Sequence, residues 1–264
     1  MLKCLGTQPG LYAHHTLHMA MNIIDLNADV GEGAGTDSEL LSLITSATVC
    51  CGLHAGGVEE AARTIIEALH RGVTIGAHPG YADREQFGRR ELPVTVDEVR
   101  HLVAYQVGAL QALAESLGGQ VCYVKLHGAL YHQVYRERML AEAVVRALER
   151  WQLPIVGLPA SQLEAACQGR LPYIREGFLD RRYRPDGSLI PRHEAGALIL
   201  DPQEAVAQAE RLVRDFGIQT LCVHGDTPQA VALIREVREE LLRQGYLLRS
   251  FVRGNGAVRS ERGT

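Results

Sequence analysis

The sequence predicts a (β/α) barrel, seven-stranded or irregular in its strand count. From residue 22 onward, apolar strand-like runs alternate with helical patterns, the signature of a mainly parallel sheet with right-handed crossovers. No Pro- or Ser-rich linker interrupts the alternation. Polar residues also fall at or just after the C-terminal ends of six strands: Asp29 with Glu32, His54, His78, His127, Glu176 with Asp180, and His224 with Asp226. A doubly wound open sheet would disperse such residues, whereas a barrel gathers them at one mouth.

Residues 1–20 lack the continuous apolar core of a secretory signal and read as a disordered extension. Their His14, His15 and His18 make a short tract of a kind that binds metals. The first strand, NIIDLNA, opens the folded region (21–255) and leads into Asp29. Side chains alternate along a strand, so Asp25, Asn27 and Asp29 share a face. Buried carboxylates are costly unless paired or bound to a cation. That face is therefore either a network tying the barrel floor or part of a site.

The second strand, ATVCCGL, runs into His54, and the third, VTIGAH, ends in His78; both histidines are flanked by small residues. Beyond them FGRR offers Arg89 and Arg90, a pair suited to a carboxylate or phosphate, with a solvated loop face as the plainer reading. Thr95 with Glu98 forms a capping box opening a long helix that ends near Gly118. The fourth strand, VCYVKLH, places Lys125 and His127 on one face, and Gly128-Ala129 then reads as leaving room beside the imidazole, with Tyr131 close by.

PIVGL and YIREGFL supply two more strands, the latter carrying Glu176. Residues 180–193, DRRYRPDGSLIPRH, are too long and charged for a tight turn and contain a PDGS hairpin signal. They read as a lid over the mouth carrying arginines, Arg181 among them. Asp201-Pro202-Gln203-Glu204 is a helix start. TLCVHG ends near His224, and Asp226 or Thr227 is placed to cap the following helix, whose N-terminus attracts anions. LLRSFV is an eighth strand-like run. Gly72, Gly217 and Gly245 sit where helix C-caps belong, and 256–264 reads as a disordered tail.

An apolar fraction of 46% and a charged fraction of 22% support a sizeable core. A formal charge of −4 with 5% aromatics points away from nucleic acid and anionic membranes, and no apolar run is long enough to span a bilayer. The six cysteines are scattered without a CxxC pair, as befits small hydrophobes in a reducing, cytoplasmic compartment. No cysteine has an obvious basic partner in sequence, and no P-loop, GxGxxG, GxSxG or HExxH motif occurs. Asp29 with two of the strand-end histidines, His54 and His127, could hold a divalent ion.

DLNADVGEG, SATVCCGLHAGG, GAHPGYADREQFGRR, YQVGAL, VKLHGALYH, EGFLDRRYRPDGSLIPR and VHGDTPQAV resemble, in that order, segments of the LamB/YcsF family, the A subunits of 5-oxoprolinase. The resemblance spans roughly residues 22–250. It implies a barrel of the glycoside hydrolase/deacetylase type and a share in ATP-dependent opening of 5-oxo-L-proline to L-glutamate. ATP would be a co-substrate accompanied by Mg²⁺, with subunits B and C as partners and a homo-oligomer open. Thr48, Cys51, Leu126 and Gly57 depart from the usual family residues, and Gly57 stands where an acidic ligand often does.

On this reading Lys125, Arg89 and Arg90 bind phosphate or carboxylate, and His54, His78, His127, Asp29 and Glu32 move protons. Asn27, Tyr131, Glu176, Arg181, His224 and Asp226 complete the substrate site. There are two rival readings: a stand-alone, metal-dependent hydrolase of the polysaccharide-deacetylase type, and a non-catalytic, ligand-presenting subunit.

Overall fold

The computed structural model describes residues 22–252; the expectations for the terminal segments lie outside the described residues. The strands are β1 (Ile23–Val30), β2 (Ser46–Cys50), β3 (Thr74–His78), β4 (Tyr123–Lys125), β5 (Ile155–Gly157), β6 (Tyr173–Phe178), β7 (Thr220–His224) and β8 (Leu247–Leu248). Between them lie α1 (Asp37–Leu41), α2 (Val58–Arg71), α3 (Val96–Ser116), α4 (Gly128–Arg136), α5 (Arg138–Leu148), α6 (Gln162–Cys167), α7 (Pro202–Phe216) and α8 (Ala230–Arg243). All the strand pairings are parallel, and β1 through β7 follow one another until β7 returns to β1, closing a seven-stranded barrel. The eighth run does not enter the wall: β8 pairs only with Ile23 and Ile24 at the start of β1.

Alternation sorts the first strand into two environments. Ile24, Leu26, Ala28 and Val30 are buried in the hydrophobic core, while Asp25 bonds Thr220 on the neighbouring strand and Asn27 and Asp29 reach Glu176 and Lys125 further round the barrel. Small residues let bulky ones into the barrel lumen. A Cβ on Gly76 would lie 2.3 Å from the Tyr123 ring, so only glycine admits the tyrosine, whose hydroxyl pairs with Thr48 at 3.1 Å. Tyr123 also packs edge-on against Phe251, with ring centroids 5.1 Å apart, and Ser250 bonds Ser46 at 3.0 Å. The chain beyond β8 thus stoppers the barrel floor.

The helix punctuation follows local chemistry. Thr95 and Glu98 form the full capping box of α3, Asp201 caps α7 with Pro202 in its first turn, and Gly72 and Gly217 end helices with φ of 69° and 61°. The expectation for α8 fails. Its N-cap is Gln229, with no side-chain cap, because Thr227 and Asp226 are engaged by partners from other segments. Residues 181–198 leave the barrel as an antiparallel excursion, bridged at Arg181–Leu198 and Tyr183–Leu189. Its tip turns at Gly187, where φ is 84°.

Candidate active site

Polar side chains fill the lumen in tiers. At the floor, Asp25 accepts hydrogen bonds from Thr45 and Ser46, each at 2.6 Å, and from Thr220. Burial outweighs these donors and pushes its carboxyl up to about 6. One tier higher, Lys125 Nζ lies 2.8 Å from both Asp29 Oδ1 and Glu176 Oε1. It donates to Asn27 Oδ1 at 3.1 Å and to Cys222 Sγ at 2.9 Å. The Lys125–Asp29 contact is an ion pair without hydrogen-bond alignment, which leaves Asp29 Oδ1 lacking an aligned donor. Burial opposes the ammonium, yet Asp29 and Glu176 hold its pKa well above the usual lysine range. Glu176 also accepts from Asn27 at 3.1 Å and from Tyr131 at 3.2 Å.

The third tier joins four side chains from separate strand ends. Glu32 Oε1 lies 3.0 Å from His54 Nε2, 3.3 Å from His127 Nδ1 and 3.7 Å from His78 Nε2. His78 Nε2 and His127 Nδ1 are 2.9 Å apart, and the His54 and His127 rings stack at 3.7 Å. All four residues are buried. Burial lowers His54 to about 4 and also lowers His127; it would do the same to His78, but the Asp29 carboxylate overrides it and raises that ring. Asp29, though buried, is held well below the carboxylate range by His78 and Lys125. Among the described residues, Glu32, His54, His78 and His127 form a group able to hold a metal. Asp29, expected among the ligands, pairs through Oδ1 with Lys125, and its Oδ2 is 3.4 Å from His78 Nε2.

The space predicted at Gly128 is filled by protein, as is that beside two further glycines, Gly80 and Gly88. A Cβ on Gly128, whose φ is 53°, would lie 2.5 Å from the Gly88 carbonyl. Cβ atoms on Gly80 and Gly88 would each come within 2.9 Å of His54. These glycines allow the imidazoles and loops to close on one another.

Above the tiers opens a cavity of about 650 Å³. Of the predicted residues, Asp29, His78, Arg89, Arg90, Lys125, His127, Tyr131, Arg181 and His224 line it, whereas Asn27, Glu32, His54, Glu176 and Asp226 do not. Arg89 and Arg192 both pair with Asp226, at 2.6 and 2.9 Å, and Arg90 pairs with Asp83 at 3.1 Å. His224 stands apart from the imidazole cluster: it bonds Asp180 at 2.9 Å and stacks on Phe178. Arg181 is buried with Nη2 donating to the Ile190 carbonyl at 2.6 Å and Nε unpartnered.

Sequence reasoning missed His132 and Arg136, which also line the cavity; their only signal was position on the helix directly after strand-end His127. It also missed that Cys50 and Cys222 acquire basic neighbours, His54 at 3.2 Å and Lys125 at 2.9 Å. The Lys125 contact crosses the barrel between residues 97 apart in sequence.

Residues 24–255 match the profile of the LamB/YcsF family. A protein of Methylococcus capsulatus, named as the A subunit of 5-oxoprolinase, is 46% identical over 84% of this chain and 93% of its own length. The lactam utilization protein of Thermus thermophilus, a crystal structure, is 38% identical with a TM-score of 0.80, covering 87% of this chain and all of that one. The catalytic domain of a peptidoglycan N-acetylglucosamine deacetylase from Eubacterium rectale superposes with a TM-score of 0.50 at 10% identity, over 89% and 91% of the two chains. That likeness concerns the fold alone, a deacetylase-type barrel.

Proposed function

Because the chain belongs to the LamB/YcsF family, we propose that it serves as one component of a 5-oxoprolinase that opens 5-oxo-L-proline to L-glutamate with hydrolysis of ATP. Subunits of B and C type, the expected partners, would complete the enzyme. The observation that carries this reading is the buried Lys125, ion-paired to Asp29 and Glu176, beneath a cavity lined by Arg89, Arg90, Arg181 and Arg192. A small anion with a carboxylate or a phosphoryl group fits such a surround.

The chemistry explains the need for ATP. A lactam carbonyl is a poor electrophile, and transferring the γ-phosphoryl group to its oxygen makes the carbon reactive. Water then adds there, the ring C–N bond breaks as the nitrogen takes a proton, and a second water releases phosphate from the resulting acyl phosphate. In this scheme the arginines hold the anionic groups, and Lys125 offsets charge developing on oxygen. Asp29 faces the cavity as a general acid/base, and Glu32, His54, His78 and His127 form the buried group beside it at the cavity foot. Mg²⁺ enters with the nucleotide and needs no site on this chain.

The test is ATP hydrolysis dependent on 5-oxoproline, measured with this chain alone and with B- and C-type subunits added. Stimulation in the mixture is expected. Its absence in both settings overturns the proposal. Lys125→Met should abolish stimulated turnover while preserving the circular-dichroism spectrum, and full activity in that variant removes Lys125 from the mechanism.

A further inference from the structure

The imidazole tier contains more hydrogen-bond acceptors than donors. His78 Nδ1 lies 2.9 Å from the Lys125 carbonyl and His127 Nε2 lies 2.8 Å from the Phe87 carbonyl. Carbonyl oxygens only accept, so those two nitrogens carry the protons. In the neutral rings, His78 Nε2 and His127 Nδ1 therefore present lone pairs to each other across 2.9 Å. Both also face carboxylates: Glu32 Oε1 is 3.3 Å from His127 Nδ1, and Asp29 Oδ2 is 3.4 Å from His78 Nε2. Lone pairs converging in a buried space repel unless a cation sits among them.

Charge points the same way. Asp29, Glu32 and Glu176 are all buried, and Lys125 pairs with Asp29 and Glu176. With all three imidazoles neutral, two negative charges remain, which a divalent cation would neutralise. The spacing suits one as well. Ligands about 2.0–2.1 Å from a tetrahedral metal stand about 3.3 Å from one another, and the four measured separations run from 2.9 to 3.7 Å. Outer nitrogens pinned by the Lys125 and Phe87 carbonyls match the second shell that orients metal-bound histidines.

We propose that Glu32, His54, His78 and His127 bind one divalent transition-metal ion of the zinc class. Three imidazoles and one carboxylate select such an ion over Mg²⁺ or Ca²⁺, which take oxygen ligands. The ion lies at the foot of the cavity, with His78 and His127 on the cavity wall and Glu32 and His54 behind them. This proposal stands apart from the 5-oxoprolinase reading, and its test needs neither ATP nor a lactam.

The experiment uses the full chain without an affinity tag, stripped by chelator and titrated with Co²⁺ and with Zn²⁺. The terminal histidines are removed as a confounder by a parallel variant carrying His14→Ala, His15→Ala and His18→Ala. One equivalent of tightly bound ion is expected in both proteins, with visible Co²⁺ absorption. Reloading with Zn²⁺ should raise the melting temperature by about 5–10 °C. Glu32→Gln and His127→Asn should each weaken binding by about 100-fold, and the stripped wild-type chain serves as control should either variant fail to fold. Binding confined to the terminal histidines, or a stripped chain that neither takes up Co²⁺ nor gains stability with Zn²⁺, overturns the proposal.

Discussion

Asp25 shows how a single buried side chain ties pH to stability. Its folded-state carboxyl is raised from 3.8 to about 6 by burial, against three hydroxyl donors. Between about pH 4 and pH 6 the folded chain holds a proton that the unfolded chain has released, so this contribution falls as pH rises through that window and is flat above it. Over two pKa units the change is about 3 kcal/mol. His132, lowered to about 4 by burial, works in the opposite sense, so the clean readout is a comparison with Asp25→Asn. Denaturant unfolding across pH 4–7 should show the wild type losing stability relative to the variant by about 3 kcal/mol. A constant difference between the two proteins would mean that Asp25 does not titrate there. The shared face of Asp25, Asn27 and Asp29 was legible from alternation alone, as was the common direction of Lys125, which ends β4, and His127 just beyond it. What each touches was not, because Thr220, Glu176 and Cys222 arrive from strands late in the chain.

At the level of elements, the loops after the strands decide the site. Gly128 opens α4 directly after His127, with a positive φ and no room for a Cβ beside the Gly88 carbonyl. Gly128→Ala therefore combines backbone strain with displacement of the 88–89 loop. A loss of about 2–4 kcal/mol in unfolding free energy is expected, together with altered His127 resonances in NMR spectra. A variant as stable as wild type would show that the loop yields freely. Glycine spacing was readable in the sequence, but its meaning was not. The pattern marks close packing, and whether ligand or protein fills the gap depends on loops that periodicity does not describe. The hairpin excursion was legible because PDGS specifies a local turn. The start of α8 was misread, because Asp180, Arg89 and Arg192 bind the two residues that local rules would have made caps.

The whole chain is acidic, with a net charge of −4, but its cavity is lined by Arg89, Arg90, Arg136, Arg181, Arg184 and Arg192. Such a field draws anions to the mouth and is screened by salt, least of all at buried Arg181. On the proposed 5-oxoprolinase reading, raising salt from about 0.05 to 0.5 M in the mixture with B- and C-type subunits should increase KM for 5-oxoproline several-fold and leave kcat nearly constant; an unchanged KM would indicate that the exposed arginines do not attract substrate. Closure into a barrel was legible from strand-end chemistry, and the seven-strand count was left open because β8 reads as a strand yet pairs only with the start of β1. The last described turn of the chain has its own consequence. With Phe251 packed on Tyr123 and Ser250 bonded to Ser46, the vessel is corked at one end. Whatever enters through the mouth must depart by the same door, so a spent molecule bars the way to the next until it goes.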